Sequence, residues 1–393
     1  MLYDPYSRAI QEDPFPTYHY FLENEPCTYN PSMDFYALFR FEDVWDATLD
    51  WKTHSSSLGP ALENRGQIPG ELFSIIGMDP PAHTRLRNLV SRGFTPKRIA
   101  GLEEEVRRLA AHYLDPLVGM QRFDVQQSFA VKLPMDVISV LLGIPEADRD
   151  WYRHTVDKGL ERDPDTGHPS VENLGMLGKS RTYLLELLTE RRKQPREDLI
   201  SVIADAEYAD PDGRTRRLSD DEVAAFATLL AGAGAETTAK LIGNLVVYLF
   251  RHPDQRRWVF EDAAARLPGA IEEVLRYDAP SQFQGRVATR EVSLHGVTIP
   301  EGARVALVTG AAGRDPREFP EPDRLDVRRT PERSLYFGHG QHVCIGKSLA
   351  RLEARVALEE LARRWPAWGV DESGLTRTYQ AHVRGFSNVP LLA

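Results

Sequence analysis

Apolar residues recur at helical spacing along most of the chain, and this periodicity predicts a mainly α-helical protein. The amphipathic patterns that follow residue 97 are interrupted at Pro145 and Pro195. The predicted helices comprise residues 18–22, 42–49, 98–118, 123–142, 146–160, 171–193, 197–207 and 219–250, with another that begins after Gly346.

Strand patterns are fewer and short. Aromatic and β-branched residues alternate with polar ones over residues 27–41, which predicts a small antiparallel sheet. Residues 292–299 and 303–309 alternate around Pro300-Glu301-Gly302 and predict a hairpin, as do residues 379–386. The non-periodic stretch 55–78 is either a functional loop or a solvated surface loop. The weak pattern between residues 160 and 177 predicts a mobile lid.

The longest pattern, residues 219–250, is unusual at its centre. Ser219 and Glu222 form a capping box, and a helix of this length spans roughly 47 Å. Its middle reads Ala231-Gly232-Ala233-Gly234-Ala235-Glu236-Thr237-Thr238, where each glycine costs roughly 1 kcal/mol relative to alanine. Such small residues predict a close approach to the backbone, which a simple helix–helix crossing would also explain. A threonine here can donate to the carbonyl one turn earlier and open the helix locally.

A glycine-rich stretch surrounds Cys344 and precedes the last helical pattern. Gly338, Gly340 and Gly346 permit tight turns, and Cys344 lies just before a helix N-terminus. The helix dipole favours an anion there, so a thiolate at this position could bind a metal. The alternative is an inert buried cysteine.

Two short charged patterns do not indicate a function by themselves. His83 and Arg87 are four residues apart and share a helix face, which suits either an anionic ligand or a solvated surface pair. Glu273 and Arg276 form a Glu-x-x-Arg pair, which alone is worth roughly 0.2–0.5 kcal/mol.

The bulk composition narrows the function classes. The chain has 393 residues, is 42% hydrophobic and carries a net charge of −10, which disfavours nucleic acid as a partner. The two cysteines, Cys27 and Cys344, favour a reducing compartment. The N-terminus lacks a signal-peptide pattern, and the apolar run 241–250 is too short to cross a bilayer, so we expect a cytoplasmic enzyme without a membrane anchor.

The stretch Phe337-x-x-Gly340-x-x-x-Cys344-x-Gly346 resembles the haem-thiolate signature of the cytochromes P450. The centre of the long helix resembles that family's oxygen-activation motif. With His83-x-x-x-Arg87 and Glu273-x-x-Arg276, four motifs follow in family order. The resemblance implies a single domain over residues 1–393, mainly α with a small β-rich lobe. Haem b (iron protoporphyrin IX) would lie between the long helix and the cysteine loop.

The resemblance assigns roles to individual residues. Cys344 would be the iron ligand, Thr237 would hold and protonate dioxygen, and Glu236 would relay protons. His83, Arg87, Arg286 and His342 would bind the two haem propionates. The residues expected at the cofactor are His83, Arg87, Ala233, Gly234, Arg286, Phe337, His342, Cys344 and Gly346. Ala235 departs from the family pattern, where a polar residue is common.

Other positions are expected to be structural or to contact substrate. Arg324, from Pro322-Asp323-Arg324, would join Glu273 and Arg276 and brace the core under the cysteine loop. Substrate contacts are expected at Gln282, Phe283 and Val383.

The implied activity is a monooxygenase reaction that inserts one oxygen atom from O2 into an apolar small molecule. A ferredoxin or flavodoxin with its reductase would supply electrons. A basic docking patch is predicted, with scattered solvated charges as the alternative; its residues are Arg85, Lys97, Lys347, Arg351 and Arg355. Other interpretations are a haem-thiolate enzyme that uses peroxide or rearranges its substrate, and a haem gas sensor. The Glu236-Thr237 pair disfavours both.

Overall fold

The computed structural model describes residues 1–62, 70–160, 170–209 and 214–393. Parts of the predicted loop 55–78 and of the predicted lid 160–177 lie outside these residues. The α-helices in the described residues are α1 (Arg8–Glu12), α2 (Phe15–Asn24), α3 (Phe41–Leu49), α4 (Ala82–Val90), α5 (Pro96–Ala100), α6 (Glu103–Leu114), α7 (Lys132–Leu142), α8 (Glu146–Leu160), α9 (Val171–Lys193), α10 (Leu199–Asp205), α11 (Asp220–Arg251), α12 (Pro253–Glu261), α13 (Ala263–Tyr277), α14 (Thr309–Ala312) and α15 (Lys347–Arg364). Short 3₁₀ helices span Gly70–Gly77, Ser91–Phe94, Asp115–Leu117, Gly340–His342 and Glu372–Gly374, and a π-helical turn spans Gln126–Ala130.

The strands are short. They are β1 (Cys27–Asn30), β2 (Phe35–Leu38), β3 (His54–Ser55), β4 (Arg122–Asp124), β5 (Glu207–Ala209), β6 (Thr215–Arg217), β7 (Gln284–Ala288), β8 (Val292–Leu294), β9 (Val297–Ile299), β10 (Arg304–Leu307), β11 (Gly369–Val370), β12 (Thr376–Arg377), β13 (Phe386–Asn388) and β14 (Pro390–Leu392). The main sheet has the order β1-β2-β10-β7-β3, and β10 runs parallel to β2. A second sheet has the order β11-β14-β4, and the pairs β12-β13, β5-β6 and β8-β9 stand apart.

Helix α11 is the central element of the helical part. Ser219 and Glu222 form the predicted capping box at its start, and the helix is continuously α-helical to Arg251. It packs against α7, α9, α13 and α15. Its second half is buried almost completely, because the side chains from Leu241 to Leu249 are apolar except at Asn244, which donates to the Asp278 carbonyl.

The core follows the division into a helical part and a β-rich lobe. One large apolar cluster joins the side chains of α6, α7, α11, α13 and α15. Two smaller clusters lie on the faces of the main sheet, one beneath α2 and the other beneath α3. The predicted fold class, mainly α with a small β-rich lobe, is therefore confirmed.

Several predicted boundaries were wrong for identifiable reasons. The predicted helix 98–118 breaks at Gly101, between α5 and α6. The predicted helix 123–142 begins instead as β4, because Phe123 pairs with Leu391 from the distant C-terminus. Residues 292–299 are a complete hairpin, since His295 and Gly296 both adopt positive φ at its turn. The following strand, β10, pairs with β2 and β7 instead.

Candidate active site

The cysteine loop folds back on itself just before α15. The Cys344 N–H donates to the Phe337 carbonyl at 2.8 Å, and Gly338 and Gly340 adopt φ of 70° and 64°. A Cβ on Gly340 would lie 3.1 Å from the Thr48 carbonyl oxygen of α3. Both the positive φ and this close contact therefore favour glycine at position 340. Gly346 is the N-cap residue of α15 and makes no side-chain cap. The loop therefore presents Cys344 next to the positive end of a helix.

The Cys344 sulfur lies in a recess. Its side chain has an exposed surface, yet enough protein surrounds the thiol for burial to raise its pKa. A hydrogen bond from the Gly346 N–H and the positive charge of Arg87 oppose this shift. Because a bound metal ion deprotonates a coordinating thiol, these surroundings suit a thiolate that is formed on metal binding.

Three basic or hydrogen-bonding side chains gather around His342, two residues before Cys344. The rings of His83 and His342 lie 4.2 Å apart, and the charges of Arg87 and Arg286 act on His342. Burial lowers the pKa of His342 to about 2 and that of His83 to about 4, so both imidazoles are neutral at pH 7. Burial also lowers the pKa of Arg286 to about 10.

This cluster contains more hydrogen-bond donors than the described residues provide acceptors for. His83 is only 2% exposed, and both of its ring nitrogens are buried without a hydrogen-bond partner among the residues that the structure describes. Neither Arg87 nor Arg286 forms a salt bridge with any residue in the described part of the chain, and Asp79 is the acid whose charge reaches Arg286. One buried guanidinium, that of Arg286, one half-buried guanidinium, that of Arg87, and two neutral imidazoles are the donor set that two carboxylates require. The residues present therefore fit a porphyrin with two propionates.

Ser56 is a site residue that no sequence pattern indicated. Its Oγ lies 3.1 Å from Nε2 of His342, and its backbone N–H donates to Asp79 at 2.9 Å. Ser56 sits in the non-periodic stretch 55–78, which carries no local pattern that could have singled it out.

The middle of α11 combines a polar triplet with close packing. Thr237 donates to the Ala233 carbonyl at 2.8 Å and Thr238 to the Gly234 carbonyl at 3.0 Å. Despite these bonds, the local opening that the threonines predicted is not seen, since α11 stays α-helical here. A Cβ on Gly234 would approach Cδ1 of Ile138 to 2.8 Å, so the crossing of α7 explains this glycine. The contact of Gly234 with a cofactor stays a prediction.

Comparison with known proteins decides the family. A profile of the family described as Cytochrome P450 matches residues 179–366. The chain is 39% identical to a protein of Mycobacterium tuberculosis named Putative cytochrome P450 123, over 100% of this chain and 96% of that protein. The chain belongs to the cytochrome P450 family.

Other relatives agree on fold and activity class. The chain is 37% identical to the Vitamin D(3) 25-hydroxylase of Pseudonocardia autotrophica, covering 99% of this chain and 96% of that enzyme. The solved structure of CYP109Q5 from Chondromyces apiculatus has a TM-score of 0.88 at 32% identity, covering 100% and 98% of the two chains. CYP109E1 of Bacillus megaterium, solved with corticosterone, has a TM-score of 0.87 at 27% identity, covering 98% and 99%. The protein is thus a P450 monooxygenase with a haem cofactor.

The buried charge cluster around Glu273 contains a different second arginine from the one that was predicted. Arg276 binds both carboxylate oxygens of Glu273, at 2.7 and 2.8 Å, and both side chains are fully buried. The third charge comes from Arg329, whose Nε lies 3.3 Å from Glu273, and not from Arg324. Arg324 offers only its backbone carbonyl to Arg276, while its side chain is exposed and pairs with Glu321. The Arg324 assignment was wrong because the chain turns after Arg324 and brings the later arginine inward.

Most of the predicted basic docking patch is already paired with acids. Arg351 binds Glu272 at 2.6 Å, and its guanidinium lies 4.7 Å from the ring of Phe337. Two of the remaining patch cations also pair with acids, Arg355 with Glu103 and Arg85 with Glu222. The positive charge of this surface is therefore smaller than the sequence predicts.

The three predicted pocket residues share one region. Phe283 is 1% exposed and its ring lies 4.7 Å from His382, while Ser281 pairs with Val383 across an isolated bridge. Gln282 is held by the protein itself, since its amide accepts from the Tyr18 hydroxyl at 2.7 Å and donates to the Ala279 carbonyl at 2.6 Å. These contacts give Gln282 a structural task, and substrate contact by any of the three stays a prediction.

No helix within the described ranges has both the length and the apolar character that crossing a bilayer demands.

Proposed function

We propose that this P450 binds haem b through Cys344 and inserts one oxygen atom from O2 into an apolar small molecule. The observation that carries the proposal is the donor cluster beside the cysteine. Arg87, Arg286 and His83 surround His342, and neither arginine forms a salt bridge with an acid in the described part of the chain. Leaving such charges uncompensated would be costly, so the cluster is best explained as a binding site for two propionates.

When bound, haem supplies the iron at which O2 is reduced and the oxidising equivalent is generated. The chain's own task at this site is to hold the thiolate of Cys344. The Gly346 N–H and the charge of Arg87 stabilise the sulfur anion. The tight turn from Phe337 to Cys344 fixes the direction in which the sulfur points.

We infer that Thr237 and Glu236, at the middle of α11, deliver protons. The Thr237 hydroxyl is anchored by its bond to the Ala233 carbonyl, which leaves its oxygen as an acceptor and orients it. Glu236 is half-buried and can exchange protons with solvent, while Thr237 sits next to it on α11. The pair provides a short path from water to the site where O2 would bind.

We propose that the substrate is a rigid, apolar molecule of about steroid size. The support comes from relatives, one named a vitamin D(3) hydroxylase and another solved with corticosterone. The predicted pocket wall agrees with this, since Phe283 and Val383 are apolar and lie on adjoining segments.

Electrons would come from a separate ferredoxin or flavodoxin with its reductase. We also infer that residues 1–393 form one domain, because α11 packs against helices from both halves of the chain.

The test is a carbon monoxide difference spectrum of the reduced, haem-loaded protein. The wild type should give the red-shifted Soret band of thiolate-ligated haem. Cys344→Ser should abolish that band, and Cys27→Ser should leave it unchanged, because Cys27 is the other thiol and is buried in the β-rich lobe. Absence of the band in wild type, or its persistence in Cys344→Ser, would overturn the proposal. Vitamin D3 and corticosterone are the first probes for a substrate-induced spectral shift.

A further inference from the structure

The carboxylate of Glu236 is held from outside its own helix. Nε2 of Gln380 donates to Oε1 of Glu236 at 3.0 Å. Gln380 is half-buried and lies in the turn between β12 and β13, so this bond joins the C-terminal hairpin to the centre of α11.

The turn that carries Gln380 is fixed relative to the predicted pocket wall. The Arg384 N–H donates to the Pro280 carbonyl at 2.7 Å, and Val383 pairs with Ser281. The turn is closed at its base by a bond of 3.0 Å from the Thr378 N–H to the Gly385 carbonyl. Gln380 is therefore mounted on a closed and braced loop.

A second contact fastens the same hairpin to α11 one helical turn further on. Nζ of Lys240 donates to the Phe386 carbonyl at 3.1 Å, and Lys240 is only 7% exposed. Gly385 lies so close that a Cβ there would come within 2.6 Å of Cβ of Lys240. The hairpin thus contacts α11 at both ends of its turn, and its position relative to Glu236 is set from two sides.

We propose that Gln380 is a positioning residue for Glu236 and keeps its carboxylate in the orientation used for proton delivery. This inference rests on the proposed function, in which Glu236 relays protons. Gln380 acts through Glu236 and relays no proton itself. A neutral amide suits the task, because Lys240 already interacts electrostatically with Glu236 and an amide orients the carboxylate without adding a second positive charge that would oppose protonation.

A double-mutant cycle tests the pairing without reference to activity. In the haem-loaded enzyme, Gln380→Ala and Glu236→Ala should each raise amide hydrogen exchange of residues 379–384 about tenfold, since a bond to a charged group is lost. If the two side chains act as one unit, the double variant should also show about a tenfold increase. A roughly hundredfold increase, the product of two independent effects, would overturn the proposal. The same cycle with Gln380→Met removes the hydrogen bond but keeps a side chain of similar shape, and it should give the same result.

Gln127, in the π-helical turn Gln126–Ala130, contacts the same hairpin from another element and offers a matched control. Its Nε2 donates to the Ser387 carbonyl at 2.6 Å and it is not bonded to Glu236. Gln127→Ala should loosen the hairpin to a similar degree, but its effect should multiply with that of Glu236→Ala.

A pH profile then separates positioning from loop stability. The measurement is oxygen consumption by the holoenzyme with a ferredoxin, its reductase and no added substrate. Gln380→Glu places a second carboxylate beside Glu236, so the acid limb of the profile should move to higher pH by about one unit. Gln127→Ala should leave the profile in place. A Gln380→Glu profile identical to wild type would overturn the positioning role even if the exchange cycle shows a pair. Lack of the carbon monoxide band would instead overturn the proposed function, and the cycle would still decide whether the pair exists.

Discussion

The guanidinium of Arg329 lies 3.3 Å from the fully buried carboxylate of Glu273, a position that Arg324 does not occupy. Arg329 also donates to the Pro320 carbonyl at 2.8 Å, so it ties the segment before the cysteine loop to α13. We predict that Arg329→Ala lowers the free energy of unfolding by about 2–3 kcal/mol, because a buried carboxylate loses a charged donor. Equilibrium urea unfolding of the apoprotein measures this.

Arg324→Ala is the matched control for that variant. Its side chain is 64% exposed, and its ion-pair partners among the described residues are Glu321 and, at 4.0 Å, Asp326. Its removal should change stability by no more than about 0.5 kcal/mol. If the two variants lost the same free energy of unfolding, Arg329 would not stabilise the buried Glu273 carboxylate more than the exposed Arg324 does.

These two arginines illustrate how far the sequence predicts the site. The Glu273-x-x-Arg276 spacing is local, and helical periodicity is enough to place both side chains on one face. Which later arginine completes the cluster depends on turns between residues 313 and 329, where no periodic pattern exists. Long-range pairing is the general obstacle: β4 was predicted as helix because its partner, β14, lies some 270 residues further along the chain.

The residues that sequence patterns missed are those on irregular segments. Ser56 and Gln380 contact His342 and Glu236 across large sequence separations, and neither belongs to a motif. By contrast, the capping box at Ser219 was predicted correctly, because it depends on neighbouring residues only. A hairpin is present where residues 379–386 predicted one, but most of that range forms its turn, and the strands are Thr376–Arg377 and Phe386–Asn388.

Arg87 is predicted to bind a carboxylate of the cofactor. Arg87→Ala should weaken haem binding about 10–100-fold, which is what loss of a charge-assisted hydrogen bond costs. The apoprotein should be no less stable than wild type, because burial lowers the pKa of Arg87 and its removal relieves a desolvated charge. Haem titration and urea unfolding measure the two effects.

Arg92 is a suitable control for Arg87. It is exposed and belongs to the 3₁₀ turn that directly follows α4. Arg92→Ala should leave haem affinity unchanged. A weaker affinity in both variants would point to general destabilisation of this region in place of a propionate contact.

Glu353 on α15 predicts a specific pH dependence of stability. The residue is 2% exposed, its Oε2 has no hydrogen-bond partner in the described part of the chain, and burial raises the pKa of its carboxyl well above the usual value. The folded state therefore keeps a proton that the unfolded chain loses near pH 4.3. Above that pH, wild type should lose up to about 1.4 kcal/mol per pH unit until the folded-state pKa is reached.

Glu353→Gln removes this contribution, because the amide stays neutral at every pH. Its free energy of unfolding should fall less steeply than that of wild type between pH 5 and the folded-state pKa. Glu104→Gln, at an exposed position on α6, should keep the wild-type slope. Parallel curves for wild type and Glu353→Gln would mean that the folded state holds no extra proton at this residue.

Comparing alanine variants of Thr237 and Thr228 separates catalytic from structural effects of a threonine on α11. Each hydroxyl donates to the carbonyl four residues earlier at 2.8 Å, so their alanine variants lose the same helix contact. We predict that Thr237→Ala lowers O2-dependent product formation about 10–100-fold while reductant is diverted to peroxide, because proton delivery fails. Thr228→Ala should retain coupled turnover. Turnover supported by added peroxide should survive in both, since it needs no protons to activate O2. If Thr237→Ala instead kept full O2-dependent turnover, the peroxide-using or rearranging class of enzyme would become the better assignment.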